Sequence, residues 1–453
     1  MTRRISRSFL LVCLVFALGA SFVFLTDAAA QSRAGVAGKS KFAKNKDRQS
    51  APKRDSENYL TDRKVAAQGL RERTHKRLTR VHQLIGEEKY DEAMATAQPL
   101  LDGTKGLPYE YAVVLQTIGH IHAAQGDYAR SIDVFKEAVA MDVLPNHSHF
   151  QLMLVIAQLY IVTDRFREGL GYLDVYFSAL IKAPPNAWEL KAIAHAQLEE
   201  LRPAIDAIKM AIALSNKPKE NWYQLLLGLH YQLKEYPEAA ATLETLIAGW
   251  PKKKDYWVQL SGLYVELKKD KRALAVLVLA HTEGLLDKEK EWLSLANLYM
   301  YKDVPFSAAE VVAQGLDIGM IEPTKKNFEL LGNAWYQAQE LDLAIEAYQE
   351  AAELWDEDGK MDLQAAYLLV EQERWAEAEG SLAAALRKGD LRDMGNVYVL
   401  MGMTYFELDR NSDAKRAFRE ARKFSKAEAA AREWLKHIED REAKAAQQLS
   451  MAN

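Results

Sequence analysis

The chain has 453 residues, of which 49% are hydrophobic and 27% charged, with a formal net charge of −4. That length exceeds one ordinary domain, and 23 Gly and 12 Pro are few enough for a largely helical protein. The slightly acidic balance excludes a general attraction to nucleic acid or anionic lipid, and the single cysteine, Cys13, excludes internal disulfides and thiol metal sites.

Residues 1–30 read as a signal peptide. Arg3, Arg4 and Arg7 form a basic start, Phe9 to Leu25 an apolar stretch, and Ala28-Ala29-Ala30 a small-residue cleavage site before Gln31. Cys13 lies inside the apolar stretch rather than at its end, so a lipoprotein signal does not fit. Cleavage after Ala30 would deliver a cysteine-free protein to the periplasm. Losing Arg3, Arg4, Arg7 and Asp27, which together carry +2, would leave it with a net charge of −6. Membrane contact is then expected only through an uncleaved signal segment or through residues 31–57. That basic arm carries Arg33, Lys39, Lys41, Lys44, Lys46, Arg48, Lys53 and Arg54 with almost no large apolar side chains, a composition that predicts disorder. Gly35-Val-Ala-Gly-Lys-Ser40 lacks the spacing and the flanking strand of a phosphate loop.

From Asn58 a helical array is expected to run to Ile438, and its clearest stretch is Lys254 to Ala351. Trp257, Trp292 and Phe328 recur at 35 and 36 residues, as do Tyr264, Tyr299 and Trp335. Trp257, Leu260, Ser261 and Tyr264 share one face of a helix. A polar turn, Lys268 to Lys271, leads to Ala273, Leu277 and Ala280 on a second helix. Small residues matter because two helices approach to about 8–10 Å only where the side chains at the crossing are short. Ten second-helix small positions follow: Ala93, Ser131, Gly169, Ala204, Ala239, Ala273, Ala308, Ala344, Ala378 and Ala414, spaced 34 to 38 residues apart. The two widest gaps are expected to lengthen turns near Gly103–Gly106 and Asn146–His149. Ala427 to Ile438 reads as one further helix that caps the stack, and residues 439–453 as a flexible tail. The pattern of aromatic, Leu, small and aromatic, then Ala, Leu and Ala, resembles the tetratricopeptide repeat (TPR). The fold class expected is therefore all-α, a right-handed α-solenoid of about ten TPR helix pairs with a C-terminal capping helix.

No catalytic residues stand out: there is no Ser-His-Asp setting, glycine-rich phosphate loop or paired carboxylate cleft. No enzyme activity, cofactor or metal is expected. His120-x-His122 and His147-x-His149 invite a metal reading. However, His122, His195 and His230 fall on the first-helix position held elsewhere by Tyr160, Tyr264 and Tyr405, which favours packing, and His147 and His149 lack nearby ligands at metal spacing.

The TPR resemblance implies a concave groove lined by positions two, five, nine and twelve of each first helix. These are Lys290, Asn297 and Lys326, Asn333, Tyr336, with Tyr301 adjacent, and upstream Asn221, Gln224 and Tyr231. An Asn there can pair with a peptide's N–H and C=O together, and Tyr supplies contact area at low entropic cost. The Lys/Asn pairing of TPR domains that capture C-terminal carboxylates does not occur.

The central segments at 218–231, 250–264 and 291–301 further resemble exported TPR proteins of proteobacterial TonB energy-transduction clusters. That resemblance implies a periplasmic accessory helping the ExbB–ExbD–TonB complex to engage outer-membrane transporters for iron chelates or other nutrients. The alternative is a scaffold for envelope assembly or polysaccharide export.

Overall fold

The computed structural model describes residues 59–65, 68–354 and 356–452; the expected signal peptide and most of the basic arm lie outside them. The described chain is helical, with one isolated antiparallel bridge, Tyr59 to Leu180. Ten antiparallel pairs follow one another: α1 (Glu72–Gly86) with α2 (Tyr90–Thr104), α3 (Pro108–Ala124) with α4 (Tyr128–Ala140), α5 (Asn146–Val162) with α6 (Phe166–Ser178), α7 (Pro185–Gln197) with α8 (Leu201–Leu214), and α9 (Glu220–Gln232) with α10 (Tyr236–Gly249). The series continues with α11 (Lys254–Glu266) and α12 (Asp270–Thr282), α13 (Glu289–Tyr301) and α14 (Pro305–Asp317), α15 (Lys325–Gln337) and α16 (Leu341–Leu354), α17 (Lys360–Glu371) and α18 (Trp375–Lys388), and α19 (Met394–Glu407) and α20 (Asn411–Ala421). A last helix, α21, spans Glu428–Ala452. The array divides into two compact units, one ending at Thr242 and the other beginning at Leu243. Within each, the fold is a stack of helix pairs, an α-solenoid arrangement.

One backbone device closes all ten pairs. The residue five places before the small position has a positive φ in every repeat: Glu88, Gly126, Asp164, Glu199, Lys234, Lys268, Asp303, Gln339, Glu373 and Asp409. The next residue's N–H bonds the carbonyl five residues back, from Lys89 to Leu84 (2.9 Å) through to Arg410 and Tyr405 (2.9 Å). The left-handed residue itself donates three residues back, as Lys268 does to Val265 (2.9 Å). This is the Schellman C-cap, which satisfies the last carbonyls of the first helix and turns the chain back on itself. Nine of the ten left-handed residues are not glycine, so most repeats accept about 1–2 kcal/mol of local strain to make the turn.

The second helix then crosses the first at its small residue. Nine of the ten small positions have no solvent exposure and the tenth, Gly169, is buried. A methyl built on Gly169 would come within 2.9 Å of Ile161 Cγ1 and 3.1 Å of Ala157 O. Ser131 stays small while donating its hydroxyl to Gly119 O at 2.8 Å. A second small position, twelve residues before the first, is coupled to a large one. Where the residue sixteen places on is Phe135, Tyr348 or Phe418, the first-helix partner is Gly119, Gly332 or Gly402, and a Cβ there would stand 2.3–2.6 Å from the ring. The other seven repeats carry aliphatic or alanine residues in place of the ring and a residue with a Cβ in place of the glycine. Close packing makes these two positions one choice.

Four expectations change. The helical array begins at Glu72, not Asn58, because residues 59–65 run extended. The extra residues of the early repeats lengthen helices, not turns: α3 and α5 have 17 residues where five of the other eight first helices have 13. His147 and His149 therefore sit in the first turn of α5. The last helix, expected to end at Ile438, continues to Ala452 through the polar segment. Its first half does cover the end of the stack: Ala427, Ala431, Leu435 and Ile438 are buried with Phe418, which lies 5.6 Å from Trp434 with rings nearly parallel.

Gly119→Ala should lower stability by about 1–3 kcal/mol through overpacking against Phe135. Adding Phe135→Leu should recover part of that loss, so that the double variant in thermal unfolding is more stable than the sum of the single effects. Gln339→Gly should raise stability by about 0.5–1 kcal/mol, because relief of the left-handed backbone outweighs glycine's entropic cost; an unchanged or lower melting midpoint would contradict the turn assignment.

Candidate functional site

The candidate residues fall on first helices, in both units. On α9, Asn221 and Gln224 are half-buried and engaged within their own surface. Asn221 Nδ2 donates to Glu189 Oε1 at 3.5 Å, and Gln224 Nε2 donates to Glu220 Oε1 at 3.4 Å. Glu189 is only 6% exposed and its charge is met by Lys219 Nζ at 2.8 Å. Tyr231 packs edge-on to Tyr236, with ring centroids 6.4 Å apart, and burial raises its phenol pKa above the ordinary value. This cluster is a packed polar surface more than an open receptor.

In the second unit the same helix positions are more open. Lys290, Asn297, Lys326 and Asn333 are exposed, and so are the rings of Tyr301 (67%) and Tyr336 (43%). Each asparagine is engaged through one atom of its amide within the array. Asn297 Nδ2 donates to Leu293 O at 2.7 Å in its own helix, and Asn333 Oδ1 accepts from Tyr348 Oη at 2.8 Å. Burial first, then Glu329 and Tyr336, push the Tyr348 phenol pKa up to about 12, so it remains a donor and holds Asn333 in place. Tyr301 lies beneath Lys302, whose Nζ is 5.5 Å from the ring centroid.

The structure brings Tyr336 together with residues that the sequence pattern did not single out. A shallow cleft of about 210 Å³ is lined by Tyr336, Tyr348, Gln364, Tyr367, Leu368 and Glu371. It lies between α15 and α17, with Tyr348 of α16 at its base. Tyr367 is at position nine of its repeat, the place Asn297 and Asn333 hold in theirs, so extending the same register by one repeat would have found it. The signal was obscured because that repeat has Asp362 at the position of Trp257, Trp292 and Phe328.

Nearby lysines are already neutralised: Lys325 Nζ lies 2.5 Å from Asp358 and Lys360 Nζ 2.9 Å from Asp390. Among the described residues the lining Glu371 forms no ion pair, so the cleft is aromatic with one free carboxylate. Such a surface suits a peptide side chain with an apolar stem and a polar or cationic tip.

The histidines do not assemble a metal site; among the described residues no group of three potential ligands is placed to hold one. His195 Nδ1 is 2.6 Å from Glu200 and His230 Nδ1 is 2.7 Å from Glu235. Both carboxylates are held below the usual range, chiefly by these histidines, and also by Arg167 and Arg202 of the preceding repeats. His122 likewise faces Asp127 across the same interval, whereas Tyr160 and Tyr405 face Arg165 (4.6 Å) and Arg410 (4.7 Å). The first-helix ring and the residue after the turn thus form a matched pair, which is the packing role expected of these rings. His120, against Phe135 at 5.0 Å, and His149, at the start of α5, are each driven down to about 4 by burial.

The tetratricopeptide repeat family model matches residues 112–142, the pair α3–α4. The same turn and crossing recur in the other nine pairs, which share the geometry of the matched one. No curated protein matches the chain. Among solved structures it is similar to a tetratricopeptide repeat protein from Parabacteroides merdae, with 15% identity over 56% of this chain and 98% of that one and a TM-score of 0.29. It is also similar to MamA from Desulfovibrio magneticus RS-1, with 18% identity, 40% and 96% coverage and a TM-score of 0.35. A third is YrrB, described as a TPR protein with an unusual peptide-binding site, with 19% identity, 43% and 97% coverage and a TM-score of 0.33.

The buried histidines give the array an acid limit. The folded chain takes up these protons only near pH 4, the unfolded chain near its ordinary 6.5, so stability falls as pH drops through that window. Thermal unfolding midpoints should decline between pH 7 and pH 5, and the decline should be shallower in His120→Leu.

Proposed function

We propose that the protein is an exported protein–protein interaction scaffold that grips a segment of its partner on the first-helix face of repeats seven to nine. The observation that carries this reading is the row Tyr301, Tyr336 and Tyr367, exposed by 67%, 43% and 39% on three successive first helices. The three rings hold positions thirteen, twelve and nine of their repeats, with Tyr336 and Tyr367 lining one cleft, and exposed tyrosines give a binding surface large contact area with few rotatable bonds. The repeat fold supports the scaffold role, and the reading assigns it no catalytic step.

The periplasm is the proposed location, resting on the basic start, apolar stretch and Ala28–Ala30 site of the first thirty residues. The proposed setting is TonB-dependent uptake, with the TonB/ExbB/ExbD complex or an outer-membrane transporter as partner; support comes from the sequence resemblance of residues 218–301. Polysaccharide export or envelope assembly is the alternative setting. Crosslinking in intact cells followed by mass spectrometry separates the two, because the first requires ExbB, ExbD, TonB or a transporter among the captured proteins. The mature chain should begin at Gln31 in an envelope fraction; an unprocessed chain in the cytosol would overturn the location.

Tyr301→Ala combined with Tyr336→Ala should weaken capture of the crosslinked partner at least tenfold, in keeping with loss of about 1.4 kcal/mol or more of contact. Circular dichroism should be unchanged because both rings are exposed. Undiminished capture would mean the partner docks elsewhere.

A further inference from the structure

The short stretch ahead of the first helix is bound to the array as a peptide ligand would be. Tyr59 to Arg63 lies extended along the third repeat, with Leu60 N donating to Ala179 O at 2.9 Å beside the Tyr59–Leu180 bridge. The Tyr59 ring stacks on Phe150, with centroids 5.2 Å apart, and packs against the cluster that contains Tyr176 and Leu180. Four residues on, the Arg63 side chain, only 10% exposed, bonds Asp142 through Nε and Asn146 Oδ1 through Nη1 at 2.9 Å. Between the two anchors Leu60 points outward, 67% exposed.

Each contact is of a kind that peptide recognition uses. A main-chain bond sets the direction, an aromatic ring fills a pocket, and a guanidinium is read by a carboxylate and an amide. The receptor residues all belong to the repeats: Phe150 lies in the second turn of α5, Ala179 and Leu180 follow α6, and Asp142 and Asn146 sit where the second repeat joins the third. The segment is also held lightly. Its contacts, a main-chain bond, a stacked ring and a guanidinium clamp among them, must offset the ordering of five residues outside any helix. The receptor also keeps a polar atom that the segment leaves unsatisfied, since His149 Nδ1 is buried without a hydrogen-bond partner close to Arg63.

We propose that the third repeat carries a second peptide-receptor site, specific for an extended segment with tyrosine and arginine four residues apart. Tyr59–Arg63 is its tethered occupant, exchanged for a partner's segment of the same chemistry. The site is separate from the tyrosine row of repeats seven to nine and does not depend on it.

The test uses the full chain and a fluorescein-labelled peptide copying residues 58–64, Asn-Tyr-Leu-Thr-Asp-Arg-Lys, read by polarisation. Vacating the site with Tyr59→Ser and Arg63→Ser should tighten peptide binding at least tenfold relative to the wild type, whose own segment competes. Adding Asp142→Lys to the vacated chain reverses the charge that reads arginine at an exposed position and should cost at least tenfold. Melting midpoints confirm that each variant is folded, and Arg63→Ser alone serves if the double substitution is not. No binding to the vacated chain, equal binding to wild type and vacated chain, or indifference to Asp142→Lys would each overturn the proposal.

Discussion

Two helices crossing with nothing larger than a hydroxymethyl group between them is the constraint on which this array rests. Ten such crossings fix how closely each pair packs, and the close packing in turn dictates neighbouring residues. At Gly119, Gly332 and Gly402 the absence of a Cβ makes room for a ring from the second helix. Where the ring is replaced by a smaller side chain, a larger first-helix residue takes the space. The pair is sealed by a turn whose hydrogen bonds are local, so each repeat satisfies its own helix ends before it meets the next. What remains for neighbouring repeats is the burial of apolar faces and the trimming of charge, as when Arg167 meets Glu200 at 2.7 Å and Arg202 meets Glu235 at 2.5 Å.

Much of this was legible in the chain itself. Alanine, serine and glycine at intervals of 34 to 38 residues mark the crossings, and each marked residue is buried where the pattern requires. The ten pairs and the capping helix follow from that count. The left-handed turn was not legible, because glycine, its usual sequence signal, occupies it only at Gly126. Periodicity also could not say whether added residues lengthen a helix or a loop, since one extra turn at the start of α3 or α5 leaves the apolar register downstream intact. The extended segment at Tyr59 has no period at all, and its partners lie about 80 to 120 residues away in the sequence.

The binding face was half legible. Counting positions along the first helices located Tyr336 at position twelve with Tyr301 beside that position, and position nine one repeat further is Tyr367. What counting could not supply was the state of the asparagines. Asn297 closes a bond within its own helix, and Asn333 is held by a phenol arriving from the second helix, so both act on the shape of the surface. The tyrosines are the largest exposed groups on this face. The histidines show the reverse: His195 and His230 look like chemistry in a list, yet each is one half of a ring-and-counterion pair that tyrosine and arginine complete elsewhere.

The ninth repeat departs from the scheme in one place. Where its neighbours put Trp292 or Phe328, it has Asp362, buried and answered by Lys388 Nζ at 3.0 Å from the far end of the same repeat. Lys388 also donates to Ala352 O at 2.6 Å, tying the pair back to α16. A buried carboxylate that loses its cation is far costlier than a lost apolar contact. The two helices of this repeat are therefore an indivisible module. Recombination that shuffled single helices would here strand a charge, so α17 and α18 must be inherited together, just as the glycine and ring of three other pairs must for reasons of space.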